Sequence, residues 1–189
     1  METPADFIFS VKVSRFITHI KRLKGVRSAW KQFIENTLYL KEKLGPILFQ
    51  FPPSFKATPE NIKRLEKFLK LIKSFKFQAS GFRIRYALEF RHKTWCAEKF
   101  YNLLKKYNVA WVIADSPRYP RVDIITADFV YIRLHGSKLM FSSKYTKKEL
   151  SSLTQKIKKW LKQGKDVFVY LNNDFRGYAV ENAKELLKL

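Results

Sequence analysis

Six short apolar runs alternate with stretches of helical period, and within each run one side differs in character from the other. The runs are Phe7–Val13, Ile47–Phe51, Tyr86–Phe90, Val109–Ala114, Val130–Leu134 and Val167–Leu171. Successive residues of a strand point to opposite sides. Phe7, Phe9, Val11 and Val13 therefore share one side, opposite Ser10 and Lys12. Ile47, Phe49 and Phe51 oppose Leu48 and Gln50, and Tyr86, Leu88 and Phe90 oppose Ala87 and Glu89. Asp115 follows the fourth run directly. Val130, Ile132 and Leu134 oppose Tyr131, Arg133 and His135, while Val167, Val169 and Leu171 oppose Phe168, Tyr170 and Asn172. One side is apolar throughout; the other becomes polar toward the C-terminal end of each strand.

The segments between the runs read mostly as helices. Ser28–Lys43 sets Trp30, Phe33, Ile34, Thr37, Leu38 and Lys41 at spacings for one main face. Thr58 as N-cap and Pro59 in the first turn open a helix to about Lys73. Further helices are predicted from Thr94 or Trp95 to Lys106, over Lys147–Lys162 with Gly164 as the stop, and over Ala179–Leu187. Pro117 and Pro120 argue against a helix between the fourth and fifth strands. Strand–helix alternation predicts right-handed crossovers and a parallel sheet. No Gly-rich loop follows any strand and the chain holds only 6 Gly, which argues against a dinucleotide fold. An open sheet covered by helices on both faces would be apolar on both. A polar inner side with polar C-terminal tips suits an α/β barrel, whose sites lie at that end.

Charge admits two readings. Lys and Arg number 38 against 16 Asp and Glu, for a net +22. In Ile62–Lys70 and Ile157–Lys162 the lysines sit opposite an apolar stripe, as on an ordinary solvated helix face. A nucleic-acid-binding protein or nuclease would use the same surplus to neutralise phosphate, with Thr18–Arg27 as a basic loop. Apolar residues at 46% and aromatics at 16% exclude disorder, and 189 residues suit one domain over 1–189. The single cysteine, Cys96, excludes a disulfide framework and reads as a packed thiol at a helix start. No apolar run reaches membrane-spanning length, and the N-terminus carries Glu2 and Asp6 without an apolar leader; no membrane partner and a cytoplasmic location are expected.

The motifs Phe9-Ser10-Val11-Lys12, Thr18-His19, Lys43 through Pro53, Glu89-Phe90-Arg91-His92 with Trp95, Ala114-Asp115-Ser116-Pro117, Tyr131 through Gly136, and Asn172-Asn173-Asp174 run in order along nearly the whole chain. Together they resemble the YecE-like family, domain of unknown function 72. The resemblance implies a TIM-barrel-like fold and a site at its mouth, but no reaction, because the family's activity is not established. Members usually begin with a strand bearing a Gly-Thr-Ser-Gly-Trp-like motif, then a strand with a Glu and a Phe-Tyr pair. Both are missing here, and Met1 falls where the third unit would begin. Six strands cannot close an eight-stranded barrel, so an incomplete, open, N-terminally truncated barrel with helices outside is expected. Self-association through its open sheet edges is the corresponding partner expectation.

The candidate site collects Lys12, Glu89, Asp115, Arg133 and His135 as catalytic residues, with Gln50, Arg91, Asn172, Asn173 and Asp174 for substrate binding. Glu89, Asp115 and His135 would suit a divalent metal. Equally, Glu89 would pair with Arg91 or Arg133, and Asp115 would cap the Ser116-Pro117 turn. Lys12 reads as a Schiff-base nucleophile or a charge partner. His135 is the histidine best placed for proton transfer, whereas His19 and His92 fit loop-shaping roles. Arg133 with Lys12 would hold an anion, and Gln50 and Asn172 would read hydroxyls or amides. Asn172-Asn173-Asp174 also reads as a turn or cap. No ligand spacing names a metal or cofactor. The function expected is an enzyme for a small polar or anionic substrate, sugar-like or phosphorylated.

Overall fold

A computed structural model describes residues 3–75 and 83–189. The chain packs as two compact units, Met1–Ala97 and Glu98–Leu189. Unit 1 holds β1 (Phe9–Lys12), α1 (Arg27–Thr37), β2 (Leu44–Gln50), α2 (Pro59–Ser74) and β3 (Tyr86–Glu89). Its strands are parallel in chain order, β1 beside β2 and β2 beside β3. Unit 2 holds α3 (Glu98–Tyr107), β4 (Ala110–Asp115), β5 (Phe129–Leu134), α4 (Lys147–Lys162), β6 (Asp166–Leu171) and α5 (Tyr178–Leu186). It repeats the parallel order, β4 beside β5 and β5 beside β6.

The expected side alternation is present in both units. In unit 1 the Trp30 ring of α1 lies 5.5 Å from Phe49 and 6.0 Å from Tyr86, and Phe68 of α2 lies 5.1 Å from Phe49. In unit 2, Val130, Ile132 and Leu134 of β5 pack with Leu150, Leu153 and Trp160 of α4. The helices thus cover the apolar side. Emptying such a position, Phe49→Ala for instance, removes about 3–5 kcal/mol.

Local signals explain most boundaries. The Thr58 side chain accepts from the Asn61 N–H, capping α2 as expected. Between β4 and β5 there is no helix; Thr126 instead accepts from Trp111 N and donates to Val109 O, both at 2.7 Å. The predicted helix over Ser28–Lys43 needs correction. α1 stops at Thr37, a tighter turn follows, and Lys41 takes a φ of +49°. The break aims the chain into β2, where Gly45 meets β1: a Cβ there would lie 2.5 Å from Ile8 Cγ2 and 2.9 Å from Phe9 O. The helix expected from Thr94 also splits, into a turn at Lys93–Trp95 and α3 from Glu98, leaving Cys96 half-buried between them. The expected Thr18–Arg27 loop is partly folded: Phe16–Ile20 forms a helical turn, and Ile17, Thr18, Leu23 and Val26 are buried. Among the described residues, no helix is long and apolar enough to cross a membrane.

Candidate functional site

In unit 1 the register sets Gln50 opposite Glu89 at the C-terminal ends of β2 and β3. Phe90 turns to the other side, into a stack of Phe51, Phe55 and Trp95 with ring separations of 4.6–5.4 Å. Trp95 Nε1 donates to Phe55 O at 2.7 Å and locks that stack. With Phe90 so committed, alternation returns Glu89 and Arg91 to one side. Arg91 Nε donates to Glu89 Oε1 at 2.7 Å, and Gln50 Nε2 donates to the two carboxylate oxygens at 3.2 and 3.1 Å. Glu89 is 0% exposed. A charge buried this deeply requires such partners.

His19 lies in the turn that follows β1. The turn is wide, with Lys21 N donating to Phe16 O at 2.8 Å across five residues, a geometry that recurs at functional sites. Thr18 Oγ1 lies 3.3 Å from Ser14 O and 2.9 Å from His19 Nδ1; when it donates to Ser14 O, its oxygen accepts from Nδ1. In that tautomer Nε2 is the basic nitrogen. Burial holds the His19 pKa below the ordinary value, and Arg15, Arg91, Lys12 and Arg22 push it in the same direction. Arg22 also reaches Ser54 Oγ at 3.1 Å. Arg22 and Leu23 both hold positive φ, +46° and +64°, a strain of roughly 1–3 kcal/mol each. The buried Leu23 side chain anchors this shape.

Unit 2 presents a different network. Asp115 pairs with Arg121 at 3.2 Å, Arg121 Nε donates to Asp123 at 2.9 Å, and Lys156 donates to Asp123. Burial raises the Asp123 pKa, but the bonds from Arg121 and Lys156 outweigh it and hold the carboxyl below its usual range. Asp115 therefore does not cap the Ser116-Pro117 turn as expected. Its charge meets Arg121, and Ser116 Oγ takes the Arg118 N–H at 3.1 Å instead. The Tyr145 hydroxyl bonds Asp115 and accepts from Gly136 N at 2.9 Å; burial, then Asp115, raises its pKa. Gly136 has φ +98°, and a Cβ there would collide with the Leu139 carbonyl.

The remaining candidates of unit 2 lie close to these. Arg133 Nη2 donates to Asn172 Oδ1 at 2.9 Å beside the stacked rings of Tyr131 and Tyr170. His135 is 0% exposed, with the Phe141 ring edge-on at 5.6 Å. Asn173 is buried and donates to Ser143 O at 3.0 Å and Asn182 Oδ1 at 3.1 Å. Asn182 in turn bonds both the N–H and the C=O of Tyr145 at 2.9 Å, so this pair clamps the loop that carries Tyr145. Asp174 is exposed, and its carbonyl accepts from Gly177 N at 3.0 Å in the turn before α5. The run 172–174 is thus not itself the expected turn or cap; it leads from β6 into the helical turn Phe175–Gly177, with no side-chain cap from Asp174. In unit 1, His92 Nδ1 accepts from Thr94 N at 3.2 Å, a loop-shaping role. Among the described residues, no three of His, Cys, Asp and Glu gather as a metal site.

Residues 1–189 match the family described as "Protein of unknown function DUF72". The chain belongs to that family. It is 28% identical over 221 aligned residues to the UPF0759 protein YunF of Bacillus subtilis (strain 168), covering 100% of this chain and 74% of that one. A crystal structure of a DUF72 family protein from Thermotoga maritima MSB8 superposes with a TM-score of 0.84 at 28% identity, covering 98% of this chain and 74% of that one. One from Enterococcus faecalis V583 gives 0.78 at 25% identity, covering 98% and 79%. The predicted family and the TIM-barrel-like α/β fold class are therefore correct.

Within this DUF72 member, sequence reasoning found Gln50, Glu89, Arg91 and Lys12, but not the relation of Arg91 and Lys12 to His19. It missed Arg15 and Arg22, which carry no periodic signal. It also missed Arg121, Tyr145 and Asn182. The one available clue was Thr18-His19, a motif followed by a basic segment.

Proposed function

We propose that unit 1 carries a binding site for a small anionic group, phosphate or carboxylate, within an enzyme for a polar substrate. The observation behind this reading is the charge around His19. The groups that act on it most strongly are all cations, namely Arg15, Arg91, Lys12 and Arg22. Like charges gathered about one point raise the energy of the empty site, and an anion relieves it. Guanidinium groups match phosphate and carboxylate oxygens in pairs. Glu89 and Gln50 fix Arg91 through the bonds described, so one cation is already oriented. His19, neutral at pH 7 because its pKa lies below the ordinary value, supplies a base at Nε2 beside the anion.

The test is titration of the full chain with inorganic phosphate, followed by calorimetry and by NMR of the His19 ring. Bound phosphate should raise the His19 pKa, since it cancels the cations that depress it. Arg22→Ala should weaken binding about 10-fold or more, the scale of one hydrogen bond to a charged group. If neither phosphate nor a simple dicarboxylate moves the His19 titration, the reading is wrong.

A further inference from the structure

We propose that the exposed face of α4 docks the phosphate backbone of a nucleic acid. Residues 155–165 contain Lys156, Lys158, Lys159, Lys162 and Lys165 and no acid. Gln155, Lys158, Lys159 and Lys162 are exposed and stand at i, i+3, i+4 and i+7, one face of the helix. Lys148 and Ser152, also exposed, extend that face toward the N-terminal end. From Lys148 to Lys162 it runs about 21 Å at the α-helical rise. Gln155, Lys158, Lys159, Lys162 and Gln163 border an open depression of about 450 Å³.

Two other helices carry an ion pair within themselves. Lys31 faces Glu35 at 3.8 Å on α1, and Arg64 bonds Glu60 on α2. On α4, Lys156 meets Asp123 and Lys158 meets the Leu189 carbonyl oxygen, but Lys159 and Lys162 have no acidic partner among the described residues. The helix dipole favours cations in a last turn, which accounts for Lys159 and Lys162 but not for the exclusion of acids from the whole face. Amides, a hydroxyl and ammonium groups in one row are the donors that phosphate oxygens accept from. A membrane surface fits less well. An interfacial helix buries its apolar side in lipid, whereas Leu150, Leu153 and Trp160 of α4 are buried in the unit 2 core.

The experiment measures anisotropy of labelled single-stranded DNA, double-stranded DNA and RNA with the full chain, from about 50 to 200 mM salt. The triple variant Lys158→Ala, Lys159→Ala, Lys162→Ala is compared with Lys63→Ala, Lys67→Ala, Lys70→Ala on α2, which removes the same charge from another helix surface. A thermal melt confirms that both variants fold. Each phosphate neutralised by a lysine adds about 0.7–0.9 to the slope of log K against log salt, so the α4 triple should lower that slope by roughly 2–3. The α2 triple should change it by less than about 1 on the same scale. Equal effects from both triples would reduce the binding to diffuse charge and overturn the proposal. So would loss of binding to phosphatidylserine vesicles by the α4 triple with nucleic-acid binding unchanged.

Discussion

The strand tips of the two units solve one problem in opposite ways. Each places a carboxylate, on the last residue of a strand, against a guanidinium. In unit 2, Asp115 and Asp123 face Arg121 and Lys156, two acids for two bases, and the Arg121 side chain is 37% exposed. In unit 1, Glu89 is sealed from solvent and bonded by Arg91 and Gln50, while Arg15, Lys12 and Arg22 join Arg91 in acting on His19. A balanced, half-solvated network contributes modestly to stability. The Glu89–Arg91 contact is costly to break, because Glu89 is sealed from water.

That contrast can be broken by mutation. Glu89→Gln removes the sealed carboxylate that Arg91 bonds and should cost about 3–5 kcal/mol, read as a large drop in Tm. A drop equivalent to less than about 1 kcal/mol would erase the difference between the units. Phosphate binding by the folded fraction of Glu89→Gln separates the roles: full affinity would make Glu89 purely structural. Asp115→Asn should cost no more than about 1 kcal/mol, because Arg121 keeps Asp123 and water reaches the pair. Arg22→Gly should leave stability unchanged or raise it by up to about 1 kcal/mol, since glycine accepts the positive φ. The same change should weaken phosphate binding, a stability–function opposition that the Asp115 network has no reason to show.

The smallest effect is in pH dependence, and its windows differ between the units. His19 has its folded pKa below 6.5. Above pH 6.5 it is neutral in both states and its contribution is complete. As pH falls, the unfolded chain binds the proton first, so stability is lost from 6.5 down through the folded value. Asp123, held below 3.8, contributes above that pH and loses its contribution only as pH falls through its folded value. Denaturant midpoints for His19→Gln should therefore lose the near-neutral slope and keep the acidic one. A near-neutral slope that survives this change would place its origin elsewhere.

The sequence alone determined which side of each strand meets a helix, that the strands run parallel in chain order, and where Thr58 starts α2. These features are set by alternation and by capping, which act over a few residues and are written in consecutive letters. It offered Arg91 or Arg133 as the partner of Glu89, and the structure pairs Glu89 with Arg91; that Gln50 stands opposite Glu89 is a matter of register, which alternation alone leaves open. It could not end α1 at Thr37, since the period of Trp30, Ile34 and Thr37 continues into Leu38 and Lys41; the turn there is imposed by the close approach of Gly45 to β1. Nor could it match Asp115 to Arg121, or Asn173 to Asn182, or set Arg15 and Arg22 with Arg91 around His19. Each of those pairings involves a residue from an irregular segment, where no periodicity fixes its direction, and Arg91 lies far along the chain from His19. Charge interaction depends on distance and burial, and only the folded chain sets either.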